Sequence, residues 1–201
     1  MKVIGLTGSF GTGKTFVASI FRSLGAKVLD ADRLAHEVIK KGMPAYRRIV
    51  DIFGEEILDG NGNIRKANLA DVVFGDDKKL KLLNRIVHPE VIRSIKQGLK
   101  AAGKKDIVVI DAPLLVEANL TGIIDMLIVV KASRKAQVER CMKKFCMAKA
   151  DVLKRIRAQM PMEKKIKLAD FVIDNDGTKS GARRQAVETW KAISRNISLS
   201  E

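Results

Sequence analysis

Residues Gly8-Ser9-Phe10-Gly11-Thr12-Gly13-Lys14-Thr15 satisfy every fixed position of G-x-x-x-x-G-K-[ST]. This octapeptide narrows the folds open to the chain more than any other stretch. It follows the apolar run Val3-Ile4-Gly5-Leu6 and precedes a helix-like segment, the strand–loop–helix order that the motif requires. Glycines let consecutive backbone N–H groups turn inward around an anion, and the start of the following helix adds its positive end. In such a loop Lys14 reaches the β- and γ-phosphates of a nucleoside triphosphate, and the Thr15 hydroxyl meets Mg²⁺.

A sheet built around that strand needs further strands, and four more β-branched runs supply them: Lys27–Leu29, Ile107–Ile110, Leu127–Val130 and Phe171–Ile173. Most lack polar alternation, which suits strands covered on both faces, and helical patterns separate them. The predicted class is α/β, a phosphate-loop fold with a five-stranded parallel sheet. Residues 33–104 hold no clear strand and are too long for one crossover helix. Tyr46, Ile49, Val50 and Phe53 recur at helical spacing between Pro44 and Gly54, and Ile92, Ile95 and Leu99 form a second stripe after Pro89. His88-Pro89 is read as the end of one helix and the start of another. The expected organisation is a core of 1–32 and 105–201, with 33–104 as an inserted helical domain that grips a second substrate. Ala186, Trp190, Ile193 and Ile197 predict a final amphipathic helix whose tryptophan is core. Asp59-Gly60-Asn61-Gly62-Asn63 fails as a calcium loop, because Ile64 and Ala70 stand where the turn glycine and the bidentate glutamate belong.

The chain carries a net charge of +15, and residues 131–167 hold 13 Lys and Arg against 3 Asp and Glu. Nucleic acid, an anionic membrane and polyphosphate are the partners such charge fits. No nucleic-acid motif accompanies it, and only nine aromatic residues are present. No apolar run reaches the length of a membrane span. Two predicted helices, Arg134–Phe145 and Ala150–Met160, carry most of the excess, so a basic lid over a triphosphate at about 134–160 is the simpler reading. Cys141 and Cys146 lack metal or redox spacing, and the first strand starts without a signal peptide, so a reduced, cytoplasmic setting is expected.

Carboxylates follow two of the predicted strands. Asp30 and Asp32 come after the second, where ligands of open α/β sheets bind. A kinase needs such a group beside its acceptor hydroxyl, although either aspartate is also a natural cap for the helix that follows. Asp111 ends the strand Ile107–Ile110 and is read as the Mg²⁺ partner of Thr15, directly or through water, with Asp30 the other candidate. Pro113 breaks that strand and Glu117 lies just beyond. Asp174-Asn175-Asp176-Gly177 matches D-x-x-G, but no N-K-x-D accompanies it to read guanine.

Taken together, these pieces resemble the dephospho-CoA kinase family. The match runs through Ile4-Gly5-Leu6-Thr7-Gly8 and the phosphate loop, Val28-Leu29-Asp30-Ala31-Asp32, Phe53-Gly54, Ile57-Leu58 and His88-Pro89. It continues through Asp111-Ala112-Pro113-Leu114-Leu115-Val116-Glu117, Arg155-Ile156-Arg157-Ala158-Gln159-Met160 and Ala169-Asp170-Phe171-Val172-Ile173-Asp174-Asn175. The resemblance implies a nucleoside-monophosphate-kinase-like core with a CoA domain and a lid. The implied reaction is ATP-dependent phosphorylation of the ribose 3′-hydroxyl of dephospho-CoA, with Mg²⁺, as the last step of coenzyme A biosynthesis. Asp32 is then the catalytic base and Lys14 its catalytic partner on the phosphates. ATP meets Gly8, Gly11, Thr12, Gly13, Lys14, Thr15 and Phe16, the lid residue Arg140, and Asn175 near the adenine. The acceptor meets Thr7, Asp32, His88, Pro113, Leu114 and Leu115. The chain departs from the family at Phe16, where a small hydroxyl residue is common, at Lys144, usually arginine, and at Ala148, usually serine. A kinase of the same architecture acting on another small acceptor is the alternative; a nucleic-acid-binding ATPase is a more distant one.

Overall fold

The computed structural model describes residues 1–73 and 76–198, apart from the side chains of residue 77 and residues 196–198. Ile197, the last member of the predicted C-terminal stripe, therefore lies outside the described side chains. The chain divides into two compact units, residues 1–29 with 102–201, and residues 30–101.

The first unit is built on strands β1 (Lys2–Thr7), β2 (Lys27–Asp30), β3 (Ile107–Asp111), β4 (Met126–Lys131) and β5 (Phe171–Asp174). They lie in the order β2-β3-β1-β4-β5. β1 pairs parallel with β3 and β4, and β4 with β5. The central strand thus has later strands on both sides, and the chain leaves its carboxyl end at a switch point, where open α/β sheets bind ligands. Register places Leu6 opposite Asp111 and Thr7 opposite Val129, so the aspartate and the start of the glycine loop emerge side by side.

Helix α1 (Lys14–Ser23) returns across the sheet and buries Val17, Ala18, Ile20 and Phe21. These pack with Ile4, Leu6, Val109, Ile128, Val130 and Ile173 of the strands. The last helix, α9 (Lys179–Ser198), adds Ala186 and Ile193 to the same core, and Trp190 lies 5.8 Å from the Phe21 ring. Phe16 is half-buried against this core, the larger ring occupying the side of α1 that faces the sheet. Two basic helices, α6 (Arg134–Phe145) and α7 (Lys149–Arg157), come between β4 and β5, followed by the short α8 (Met162–Lys167). The second basic helix ends three residues earlier than its sequence pattern predicts.

The second unit contains α2 (Ala31–Glu37), α3 (Pro44–Phe53), α4 (Lys66–Val73) and α5 (Asp77–Lys100). Its own core joins Ala45, Ile49, Phe53, Ile57, Leu69, Val73 and Ile86. Proline opens α3 and Gly54 closes it at φ 82°, a left-handed value that glycine adopts without a Cβ penalty. The Asp59 region is a surface turn: Asp59 Oδ1 accepts from the amides of Asn61 and Asn63, both at 2.9 Å. Among the described residues no group of three or more metal-capable side chains occurs.

One prediction needs correction here. His88-Pro89 does not divide two helices; both residues lie inside α5, which runs unbroken from Asp77 to Lys100. Proline removes one backbone hydrogen bond and disfavours helix in the preceding residue, but this is a local cost. Ile86, Val91 and Ile95 are buried on either side of it, while Arg85, His88 and Pro89 are exposed. Packing along one face carries the helix through, and the defect lies on the solvent side.

Candidate active site

The loop after β1 is shaped by close packing. Gly11 and Gly13 have φ of 83° and 86°, the left-handed region. A Cβ on Gly11 would sit 2.7 Å from Cys141 Sγ, and one on Gly13 would collide with Asn175 Nδ2. The Thr12 hydroxyl is buried and donates to the Ser9 carbonyl at 2.9 Å. The Thr12 carbonyl accepts from Asn175 Nδ2 at 2.7 Å. Gly13 caps α1 without a side chain, and no acidic residue stands in the first turn, so the positive helix end is offered to the loop.

Lys14 crosses from α1 to the end of β3, where its ammonium pairs with Asp111 Oδ1. Both side chains are nearly buried, 12% and 4% exposed, so the charge is held away from water by a single carboxylate. Thr15 is exposed at the start of α1. Arg140 of α6 donates through Nη2 to the Asn175 carbonyl at 2.7 Å. Its Nη1 is buried with no hydrogen-bond partner among the described residues, as is Gln137 Oε1 one turn earlier. Asn175 thus links Arg140 to the loop backbone. The exit of β4 and β5 is pinned nearby: Lys131 holds the Asp174 carboxyl below its ordinary range, and Ser133 does the same for Asp176.

The basic helices grip the loop directly. Gln159 Oε1, just after α7, accepts from the Phe10 amide at 2.8 Å. The Phe10 ring stacks on Phe145 at 5.5 Å, and the Arg155 guanidinium lies 5.5 Å from it. Lys144 sits 5.2 Å over the Phe145 ring. Val138, Cys141, Val152 and Ile156 form the small core beneath, where burial pushes the Cys141 thiol up. Ala148 occupies the cap of α7 and makes no capping bond.

Thr7 Oγ1 donates to the Pro113 carbonyl at 3.1 Å. Leu114 beyond it is exposed, whereas Leu115 is fully buried and packs towards Gly5. A residue without an assigned role, Lys165 of α8, also donates to Pro113 O at 2.7 Å and pairs with Glu117 at 2.9 Å. It is fully buried, and burial pushes its ammonium down while Glu117 pulls it back up. The signal for it was present in the sequence. Met162, Lys165 and Ile166 fall at i, i+3 and i+4, so a lysine fills an apolar slot of the stripe, hidden among other lysines.

In the second unit, Asp30 is spent on capping: its Oδ1 accepts from the Arg33 amide at 3.0 Å. Asp32 is exposed in the first turn of α2, and His88 is exposed midway along α5. The structure therefore brings together Thr7, the loop from Gly8 to Thr15, Asp111, Pro113, Arg140 and Asn175 in the first unit. Asp32 and His88 belong to the other.

Comparison with known proteins agrees with this geometry. A family model described as Dephospho-CoA kinase matches residues 2–180. The chain is 41% identical over 196 residues to Dephospho-CoA kinase of Carboxydothermus hydrogenoformans, covering 95% of each. It is 42% identical to that of Aquifex aeolicus, over 98% of this chain and 100% of the other. A solved protein from Thermus thermophilus is 34% identical, with a TM-score of 0.83 over 95% of this chain and 96% of that one.

Proposed function

The chain belongs to the dephospho-CoA kinase family, and from that premise we propose how its residues divide the transfer of a phosphoryl group from ATP to the 3′-hydroxyl of dephospho-CoA, the final step in making coenzyme A. The observation that carries the reading is the Lys14–Asp111 pair at the mouth of the glycine loop. A cation held against a buried carboxylate, beside a glycine loop that opens a helix, is the arrangement a phosphate site needs.

The triphosphate tail lies along Gly8–Thr15, past Gly11, Thr12 and Gly13, to the first turn of α1, including Phe16. Lys14 turns from Asp111 to the bridging and terminal phosphates as they compete for its charge. Arg140 Nη1, buried and unpartnered beside Gly13, donates to a phosphate oxygen. Asn175 holds the loop in shape from below and stands near the adenine end of the nucleotide. The Thr15 hydroxyl and the Asp111 carboxylate suit Mg²⁺, which takes few protein oxygens and keeps water and phosphate for the rest. That ion would supply charge neutralisation on the triphosphate oxygens.

On the acceptor side, Thr7, Pro113 and Leu114 contact dephospho-CoA, with Leu115 supporting that turn from the core, and His88 and the 30–101 unit contribute further grip. Asp32 orients the 3′-hydroxyl. The 3′-hydroxyl oxygen bonds to the γ-phosphorus as the bond to the ADP oxygen breaks, and the hydroxyl proton passes to the Asp32 carboxylate. In a loose transition state the positioning and charge terms exceed the acid–base term. The segment 134–160 closes as a lid and keeps water, a competing acceptor, from the γ-phosphate.

The test is direct. Purified protein with Mg-ATP and dephospho-CoA is followed by mass for a product heavier by one phosphoryl group, with nucleoside monophosphates as competing acceptors. Appearance of CoA from dephospho-CoA alone supports the assignment. Preferential phosphorylation of a nucleoside monophosphate transfers it to the neighbouring kinase class.

A further inference from the structure

Lys165 is the buried charge that the phosphoryl-transfer scheme leaves without a task. Burial of an ammonium is costly, and an apolar side chain of similar length would pack at lower cost if holding helix α8 in place were the only need. What the ammonium touches is therefore informative. It donates to the Pro113 carbonyl at 2.7 Å, which also receives the Thr7 hydroxyl at 3.1 Å. With two donors on its two lone pairs, that carbonyl and its peptide plane are held from rotating. The same ammonium pairs with Glu117 Oε1 at 2.9 Å, and that oxygen also accepts the Met160 amide at 3.0 Å.

The nitrogen bonds the segment after β3 twice, at Pro113 and Glu117, and the same two acceptors take the Thr7 hydroxyl at the end of β1 and the Met160 amide after α7, so four segments are linked through one cluster. The neighbouring Gln159 reaches the Phe10 amide of the phosphate loop. The turn from Pro113 to Glu117 is thus clamped at both ends, and it presents Leu114 outward, 41% exposed.

We infer that Lys165 is a positioning residue for the acceptor: it holds the Pro113–Glu117 turn rigidly against Thr7, so that dephospho-CoA meets a preformed rest beside the phosphate loop. This rests on the assignment of Thr7 and the Pro113–Leu115 turn to the acceptor. The effect acts through Pro113 and Glu117, and it separates the two substrates of the reaction.

Steady-state kinetics of wild type and Lys165→Met, varying each substrate in turn, test it. The Michaelis constant for dephospho-CoA rises about tenfold or more, the loss expected for one charge-assisted hydrogen bond, and that for ATP stays within about twofold. Equal rises in both constants, or a lower melting temperature with both constants unchanged, overturn the inference. A wild type that phosphorylates dephospho-CoA beside a Lys165→Met that matches it overturns the inference alone. A wild type inactive on dephospho-CoA overturns the acceptor assignment and the inference with it. If the stranded Glu117 carboxylate prevents Lys165→Met from folding, the double variant Glu117→Gln/Lys165→Met removes that charge and carries the same expectation.

Discussion

The two compact units handle their chemical groups in opposite ways. In the sheet unit, the glycine loop and its lysine are held by partners far away in sequence. Lys14 is held by Asp111, 97 residues on, and the Thr12 carbonyl by Asn175, 163 residues on. In the helical unit, Asp32 and His88 stand exposed, away from the core of Ile49, Phe53, Ile57, Leu69 and Ile86. The difference teaches that the phosphate grip is organised before any ligand arrives, which is where electrostatic stabilisation is most effective.

Four substitutions break or sharpen that contrast. The largest effect is expected from Lys14→Met, which removes the charge that moves with the phosphates. Turnover falls by about 10³-fold and ATP affinity falls with it, read by coupled ADP release and by titration calorimetry. An intact ATP affinity would place the preorganised charge elsewhere. Asp32→Asn comes next, with turnover down by about 10²-fold and ATP binding unchanged. A variant that keeps near-full turnover removes Asp32 from the base role.

Gly13→Ala tests preorganisation itself. The left-handed φ costs an L-residue about 1–2 kcal/mol, and displacing Asn175 from the Thr12 carbonyl costs about 1 kcal/mol more. The unfolding free energy from denaturant titration should drop by about that sum, lowering the midpoint, and ATP affinity should weaken. If Gly13→Ala proves as stable as wild type, the loop is not held by its neighbours in the way described. The smallest effect is a gain. Ala148→Ser restores a side-chain oxygen at the start of α7 and should add about 0.5–1 kcal/mol, measured by the same midpoint. No gain would mean that α7 is held by its contacts with Phe10 and α6 and not by its cap.

How much of this was legible beforehand follows the range of the forces. The five strands, the α3 helix between Pro44 and Gly54, and the surface turn after Asp59 were readable because each depends on neighbouring residues. The break expected at His88-Pro89 was a local rule applied where a distant one prevailed: burial of Ile86, Val91 and Ile95 carries α5 past its proline. Asp30 and Asp32 looked alike in the sequence. The structure separates them, because the turn into α2 spends Asp30 on the Arg33 amide and leaves Asp32 outside the cap.

The phosphate loop was determined by sequence alone, since glycine's backbone freedom and the order strand, loop, helix are properties of adjacent residues. The parallel sheet was legible for the same reason, from apolar runs alternating with helical ones. Only the tertiary structure decided which partners the side chains of the site meet. Asp111, Asn175 and Lys165 reach their partners across 97, 163 and 52 residues. No pattern in the chain marks those distances. They exist because the strands lie parallel and in register, with their carboxyl ends gathered at one edge of the sheet.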